Sequence, residues 1–157
     1  MRILVLSDCH DRLFGARKAL DREENATAIF YLGDGLSAMQ RLVDDYPRLK
    51  LFSVAGNCDR CFDEPLTGIE KICGHTVFYT HGHLYNVKSG TDKLCETAKN
   101  LNADICLYGH THIPDISYHN GIYFVNPGSV SYGRTSKSTY AVIEITSQGI
   151  LPSIAEL

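Results

Sequence analysis

Residues 3–10 read ILVLSDCH, a short apolar run that passes directly into an aspartate and a histidine. The same arrangement, an apolar run followed at once by a polar cluster, occurs four more times along the chain. The five runs are residues 3–6 before Asp8, 28–32 before Asp34, 51–55 before Asn57, 77–79 before His81 and 105–108 before His110. Runs of this length and composition are typical of buried β-strands, so we predict five strands that each end at a polar loop.

Apolar residues at helical spacing lie between these runs. They form three faces, namely Leu13, Ala16 and Leu20, then Leu36, Met39 and Val43, then Leu94, Ala98 and Leu101. Alternating strands and helices predict an α/β fold with a largely parallel sheet and the polar clusters at one edge of it. From about Pro114 the pattern changes to short strands at residues 116–118, 122–125 and 140–145, for which we predict a second, more antiparallel layer. We expect residues 1–157 to form a single domain.

The composition argues against nucleic-acid and membrane partners. The chain has 157 residues, with 15 basic and 18 acidic side chains, a formal net charge of -3 and no basic cluster. Such a surface is a poor match for a nucleic-acid backbone, so we expect no nucleic-acid partner. The apolar run at residues 3–6 is too short for a signal sequence or a membrane span, which predicts a cytoplasmic protein.

The six cysteines do not have the character of a disulfide framework. Four of them lie within or beside apolar segments, and we expect reduced thiols. Cys58 and Cys61 have redox or zinc spacing, but no second Cys-x-x-Cys motif accompanies them. We interpret this pair as free thiols, and a structural or redox metal site built on it is the alternative.

Each polar cluster, taken alone, also has an ordinary explanation. Asp8 and His10 could belong to a turn or a helix cap, and Asp34 and Asn57, which both follow a glycine, could simply form turns. The histidines are more informative, because five of the seven lie in three strand-end clusters. The clusters therefore have to be interpreted together.

Taken together, the clusters predict one metal site. If all five lie at the same edge of a sheet, a single constellation explains them better than five unrelated turns. Its members are Asp8, His10, Asp34, Asn57, His81, His110 and His112. Two carboxylates, one amide and four imidazoles exceed what one tetrahedral zinc needs, and they include no thiolate. We therefore predict two adjacent divalent cations, which can activate a hydroxide for in-line displacement at phosphorus.

The motif order resembles that of the calcineurin-like metallophosphoesterases, and within that family the small YfcE-type phosphodiesterase branch. The motifs are Asp8-x-His10, Gly33-Asp34, Gly56-Asn57-x-Asp59, Thr80-His81-Gly82-His83 and Gly109-His110-x-His112. Residues 126–129, NPGS, resemble a segment common in the small branch. The resemblance covers nearly the whole chain and implies a four-layered α/β/β/α sandwich.

The resemblance also implies ligand sets and an activity. One metal would be held by Asp8, His10, Asp34 and His112, and Asp34 would bridge to a second metal held by Asn57, His81 and His110. The family favours manganese, with nickel, zinc, iron or cobalt as alternatives. The implied reaction is hydrolysis of a small phosphodiester by a metal-activated hydroxide, with Asp34, Asn57, Cys58 and His81 as the catalytic residues.

One position departs from the larger family members, which carry a histidine directly after the asparagine where this chain has Cys58. A thiol is a weak donor without positive charge, so we expect less help to poor leaving groups and a preference for activated or strained diesters. Asp59 has two interpretations, orienting a ligand histidine or capping a nearby helix.

Three alternatives to a phosphodiesterase stay open at this point. The first is a phosphomonoesterase of the same fold, and the second is a nuclease. The third is a non-catalytic protein-binding scaffold similar to the small retromer subunit. A homo-oligomer is also compatible with the sequence.

Overall fold

The structure is a computed structural model that describes residues 1–60, 63–131 and 137–157, so Cys61 lies outside the described residues. The helices are α1 (Leu13–Arg22), α2 (Leu36–Val43) and α3 (Asp92–Asn100), with a short 3-10 helix at His83–Tyr85. The strands are β1 (Arg2–Leu6), β2 (Ala28–Tyr31), β3 (Lys50–Ser53), β4 (Thr67–Ile72), β5 (His75–Thr80), β6 (Ile105–Leu107), β7 (Pro114–His119), β8 (Ile122–Pro127), β9 (Thr139–Thr146) and β10 (Gly149–Glu156). The three helices and five strands predicted from apolar spacing are therefore confirmed.

The described strands form two five-stranded mixed sheets, with the orders β10-β9-β1-β2-β3 and β4-β5-β6-β8-β7. In the first sheet β1, β2 and β3 are parallel, and β9 pairs antiparallel with β1. In the second sheet β5, β6 and β8 are parallel, whereas β4 and β7 are antiparallel edge strands. With helices on the outer faces, this is the α/β/β/α sandwich that the family resemblance implied, and that expectation is confirmed.

Two expectations drawn from periodicity alone are wrong. The five strands before the polar clusters do not share one parallel sheet, since β1 to β3 lie in the first sheet and β5 and β6 in the second. The strands after Pro114 do not form a layer of their own, because β7 and β8 join the second sheet and β9 and β10 the first. A buried strand has the same apolar pattern in either sheet, so the pattern identifies the strand but not its partner.

Buried apolar side chains fill the three spaces between the four layers. The two sheets pack face to face through side chains such as Val5, Phe30 and Ile105. Helices α1 and α2 cover the outer face of the first sheet, where Leu20 and Met39 are fully buried. Helix α3 covers the outer face of the second sheet. Within the described residues, no helix is long and apolar enough to cross a membrane.

This architecture brings the polar loops of two sheets to one place. The loops after β1, β2 and β3 leave the first sheet at the carboxyl ends of its parallel strands. The loops after β5 and β6 do the same in the second sheet. Close contacts between residues of the two sets, given below, show that the two edges face each other. The sandwich therefore creates a cleft that a single parallel sheet would not have provided.

Candidate metal centre

Sharp turns place the candidate ligands at the ends of the strands. Asp8, His10, Asp34, His110 and His112 all have φ values between 44° and 68°. This left-handed conformation costs an L-residue about 1–2 kcal/mol, although Asp and His adopt it more readily than most side chains. Backbone strain of this kind concentrates at functional sites. Here it coincides with five of the seven residues that the sequence predicts as ligands.

The first donor group joins the loop after β1 to the loop after β6. Nε2 of His112 lies 3.1 Å from Oδ1 of Asp8, and Nε2 of His10 lies 3.9 Å from the same oxygen. The two Nε2 atoms are 3.3 Å apart. Asp8 is fully buried. A carboxylate and two imidazoles that converge in this way form a donor group that could hold a divalent cation.

The second donor group surrounds His81, which is also fully buried. Its Nε2 atom lies 3.1 Å from Oδ1 of Asn57, 3.0 Å from Nδ1 of His110 and 3.5 Å from Oδ2 of Asp34. Nδ1 of His81 lies 2.6 Å from the carbonyl oxygen of Leu32 and donates a hydrogen bond to it. That bond leaves the Nε2 lone pair directed into the group, as a metal ligand requires.

Asp34 lies between the two groups. Its carboxylate clusters with His81 and His110 on one side and with His10 and Cys58 on the other. The structure thus brings all seven predicted ligands together, and a shared Asp34 is compatible with a bridging ligand. These oxygen and nitrogen donors fit divalent cations, as the sequence predicts.

Glycines permit this crowding. A Cβ at Gly56 would lie 2.1 Å from Oδ1 of Asp34 and 2.6 Å from its backbone nitrogen. A Cβ at Gly109 would lie 2.1 Å from Oγ of Ser7 and 3.1 Å from Oδ2 of Asp8. Real Cβ atoms essentially never lie within 3.0 Å of such neighbours. A side chain at Gly56 or Gly109 would therefore clash with the residues of the site.

Asp59 holds the loop that carries Asp34. Its Oδ1 accepts hydrogen bonds from the backbone N–H groups of Gly35 and Leu36. Its Oδ2 accepts hydrogen bonds from those of Asp34 and Gly56, and all four are 2.8 Å long. Of the two interpretations left by the sequence, the structure therefore favours the cap. Asp59 caps the start of α2 from a distant loop and positions the predicted ligand Asp34 rather than a histidine.

Several buried or half-buried polar residues behind Asp8 were missed as parts of the site. Ser7 donates to Oδ2 of Asp8 at 2.5 Å, and the hydroxyls of Ser129 and Ser131 donate to its carbonyl oxygen at 2.8 and 3.0 Å. Asn126 donates to the carbonyl oxygen of Gly109 at 3.1 Å and so supports the loop before His110. The sequence signal for these roles was residues 126–129, NPGS, which contain Asn126 and Ser129. The spacing of apolar residues does not reveal what this segment does.

The surroundings lower the pKa of Asp8 and that of His110. Burial raises the pKa of Asp8, but a hydrogen bond from His112, the charge of His81 and the hydrogen bond from Ser7 outweigh burial and leave that pKa lowered. Burial, followed by the charges of His81 and Lys88, lowers the pKa of His110 to about 4. Both groups are therefore in the state that binds metal at neutral pH.

Cys58 lies at the edge of the site as a free and exposed thiol. Its backbone N–H donates to Oδ1 of Asp34 at 2.8 Å, and its sulfur accepts from the Asn57 amide at 3.3 Å. Partial desolvation of the sulfur, followed by the hydrogen bond and the charge of Asp34, raises the pKa of Cys58 to about 11. In the absence of metal the thiol is therefore protonated at neutral pH.

Comparisons with known proteins agree in pointing to one family. The family model described as the calcineurin-like phosphoesterase superfamily domain matches residues 1–148. Phosphodiesterase YfcE of Escherichia coli (strain K12) is 31% identical over 190 residues, which cover 99% of this chain and 98% of that protein. The crystal structure of a predicted phosphoesterase from Streptococcus pneumoniae TIGR4 has a TM-score of 0.80 at 30% identity, with coverage of 99% of this chain and 88% of that one.

A more distant likeness concerns a protein of another name. Wild-type Vps29 from Entamoeba histolytica, solved in complex with zinc, has a TM-score of 0.72 at 20% identity and covers 99% of both chains. At that identity the likeness shows the fold alone.

Proposed function

The chain belongs to the calcineurin-like phosphoesterase superfamily and is a metal-dependent phosphodiesterase, and we propose that it hydrolyses small phosphodiesters at a dinuclear centre that shares Asp34. The observation that carries this proposal is the pair of donor groups on either side of the Asp34 carboxylate. One group contains Asp8, His10 and His112, and the other contains Asn57, His81 and His110.

When bound, two divalent cations would supply Lewis acidity and a hydroxide nucleophile at neutral pH. The residues of the chain prepare the site for them. Leu32 and the Ser7 hydroxyl fix the orientation of His81 and Asp8, and Asp59 fixes the loop of Asp34. Two carboxylates against two divalent cations leave a positive centre that attracts an anionic substrate. Manganese is our proposal for the native metal, on the family resemblance.

The environment of Cys58 supports a diester rather than a monoester. A phosphodiester carries one negative charge, whereas a phosphomonoester carries up to two at neutral pH. Cys58 offers a neutral thiol where a histidine would offer a donor that can become cationic. The smaller positive charge suits the monoanionic diester, and we assign Asp34, Asn57, Cys58 and His81 to contact with the reacting groups.

The scaffold alternative is less supported. A protein-binding scaffold has no need of buried carboxylates and imidazoles aimed at one another, because unpartnered buried polar groups are costly. All seven predicted donors are present and converge. Cytoplasmic location and a homo-oligomeric state stay predictions of the sequence.

The test is metal-restored hydrolysis with matched variants. Protein stripped by a chelator is given manganese, nickel, zinc or magnesium, and its turnover of bis(p-nitrophenyl) phosphate and p-nitrophenyl phosphate is compared. We expect at least one metal to restore diester turnover, Asp34→Ala to abolish it, and Asp45→Ala, at an exposed carboxylate paired with Arg17, to retain it. Normal turnover in Asp34→Ala would contradict the proposed centre. Silence with every metal, in folded protein that binds two ions, would favour the scaffold.

A further inference from the structure

Tyr31, the last residue of β2, carries a buried hydroxyl group beneath the metal centre. Its side chain is fully buried in the core that packs under helices α1 and α2. A phenylalanine would fill such a place without a polar atom, whereas a buried tyrosine hydroxyl needs hydrogen-bond partners to offset its lost hydration. The partners of this hydroxyl lie in the two loops that supply Asp8, His10 and Asp34.

The hydroxyl joins these two loops directly. It donates a hydrogen bond to the carbonyl oxygen of Asp34 at 2.8 Å and accepts one from the backbone N–H of Cys9 at 3.3 Å. Cys9 stands between Asp8 and His10 in the chain, so the second bond holds the loop that carries both. Sγ of Cys9 lies 3.0 Å from the same hydroxyl oxygen. One side chain therefore links Asp34 to the loop of the first donor group.

The two loops are also in close backbone contact. The N–H of His10 donates to the same carbonyl oxygen of Asp34 at 2.9 Å, and the N–H of Asp8 donates to the carbonyl oxygen of Gly33 at 3.0 Å. A Cβ at Gly35 would lie 2.4 Å from Sγ of Cys9 and 3.0 Å from the backbone nitrogen of His10. A displacement of one loop would therefore displace the other, together with the predicted ligands that it carries.

Tyr31 and the residue after it support different donor groups. The carbonyl oxygen of Leu32 accepts the hydrogen bond from Nδ1 of His81, which belongs to the second group. Neighbours along an extended segment point to opposite faces of a sheet, and Tyr31 and Leu32 pack in separate cores. Loss of the Tyr31 hydroxyl should therefore affect the first donor group more than the second. A general loss of stability would not distinguish the two groups.

We propose that Tyr31 is a positioning residue of the metal centre, whose hydroxyl holds Asp34 against the loop of Asp8 and His10 and thereby raises the affinity of the first donor group for a divalent cation. The hydroxyl acts through the backbone of Cys9 and Asp34 and does not touch the substrate. This inference rests on the dinuclear centre of the proposed function and assigns it a support that lies outside the sequence motifs.

The experiment compares Tyr31→Phe with the matched control Tyr140→Phe. Tyr140 lies on β9 of the same sheet, is 2% exposed, and donates a hydrogen bond to Oε1 of Glu23 at 2.9 Å. Glu23 follows the end of α1, whereas Asp8 and His10 precede its start. Each variant loses one buried hydroxyl, and thermal unfolding of chelator-stripped protein measures the cost to the fold. Calorimetric titration with manganese then measures the binding of each ion.

We expect Tyr31→Phe to weaken the binding of one manganese ion about tenfold, because residues that orient metal ligands contribute about 10- to 100-fold to affinity. Tyr140→Phe should keep both affinities. In crystals grown with limiting manganese, the ratio of the anomalous peak in the first donor group to that in the second should be lower in Tyr31→Phe than in wild type. At saturating manganese KM for bis(p-nitrophenyl) phosphate should not change, because the buried Tyr31 does not contact the substrate.

The outcomes separate this assignment from the proposed function. Unchanged manganese affinity in Tyr31→Phe, or equal weakening of both ions, would overturn the assignment, while diester turnover by the wild-type protein would still support the proposed function. Unfolding of Tyr31→Phe beside a folded Tyr140→Phe would also overturn it, since the hydroxyl would then serve the fold. Selective loss of one ion, in a chain whose metal-loaded wild type hydrolyses no ester, would support the role of Tyr31 and contradict the proposed function.

Discussion

The loop that carries Asp34 depends on one carboxylate, and Asp59→Asn tests that dependence. Each carboxylate oxygen of Asp59 accepts hydrogen bonds from two backbone N–H groups, at 2.8 Å. An asparagine offers only one oxygen, so its NH2 group must face two of those N–H donors. The substitution changes almost no volume, and its effect can therefore be assigned to the lost hydrogen bonds and charge.

The structure gives an estimate of the cost. Hydrogen bonds to a charged group contribute about 1.5–3 kcal/mol each, and Asn loses two of the four. Asp59 is partly exposed, so we expect the lower end of the range, about 3 kcal/mol. For a domain of this size that loss lowers Tm by roughly 6–12 °C.

The assay is urea unfolding of the metal-free protein, followed by metal titration of the folded variant. The control is Asp45→Asn, which removes an exposed ion pair with Arg17 whose side chains are 53% and 60% exposed. That pair should contribute less than about 1 kcal/mol. A loss below about 1 kcal/mol in Asp59→Asn, or metal binding unchanged from wild type, would refute the assignment of Asp59 as the support of the Asp34 loop.

Three further predictions concern the centre itself. Gly56→Ala should reduce bound metal below two ions per chain without unfolding, because its Cβ would displace Asp34. In the control Gly74→Ala a Cβ meets nothing within 4 Å, and the strain at its φ of +87° should lower stability while both ions are kept. Elemental analysis measures the bound metal, and full metal content in Gly56→Ala would contradict the reasoning. The pKa of His110 is about 4 in the folded protein and near 6.5 in the unfolded chain. Metal-free protein should therefore lose stability as the pH falls from about 6.5 to 4, because the unfolded chain binds the proton first. His110→Asn should show a smaller loss in Tm over that range, and an identical dependence of Tm on pH would contradict the role given to His110. Cys58→His should increase turnover of esters with poor leaving groups more than it changes metal content; an unchanged substrate profile would remove Cys58 from the reacting groups.

Local patterns predicted the candidate site better than they predicted the sheets. The loop that follows a parallel strand always lies at the carboxyl end, so Asp8, Asp34 and His81 could be placed from their own segments. Which sheet a strand joins depends on contacts between distant segments. The pattern therefore did not reveal that the donors come from two facing sheets.

The elements that periodicity missed have physical reasons as well. Strand β10 (Gly149–Glu156) contains Pro152 and lies at a sheet edge, where proline is tolerated but the strand signal is weak. Strand β4 (Thr67–Ile72) is also an edge strand with mostly exposed or half-buried residues. The supporting hydroxyls of Ser129 and Ser131 lie more than 100 residues from Asp8 in the chain. No local pattern relates segments so far apart.

The central claim is that two cations share Asp34, and diffraction from crystals grown with manganese tests it most directly. Anomalous difference maps at the manganese edge should show two peaks. One should lie among Asp8, His10 and His112, the other among Asn57, His81 and His110, with Asp34 contacting both. A single peak, or manganese bound away from Asp34, would contradict the dinuclear centre.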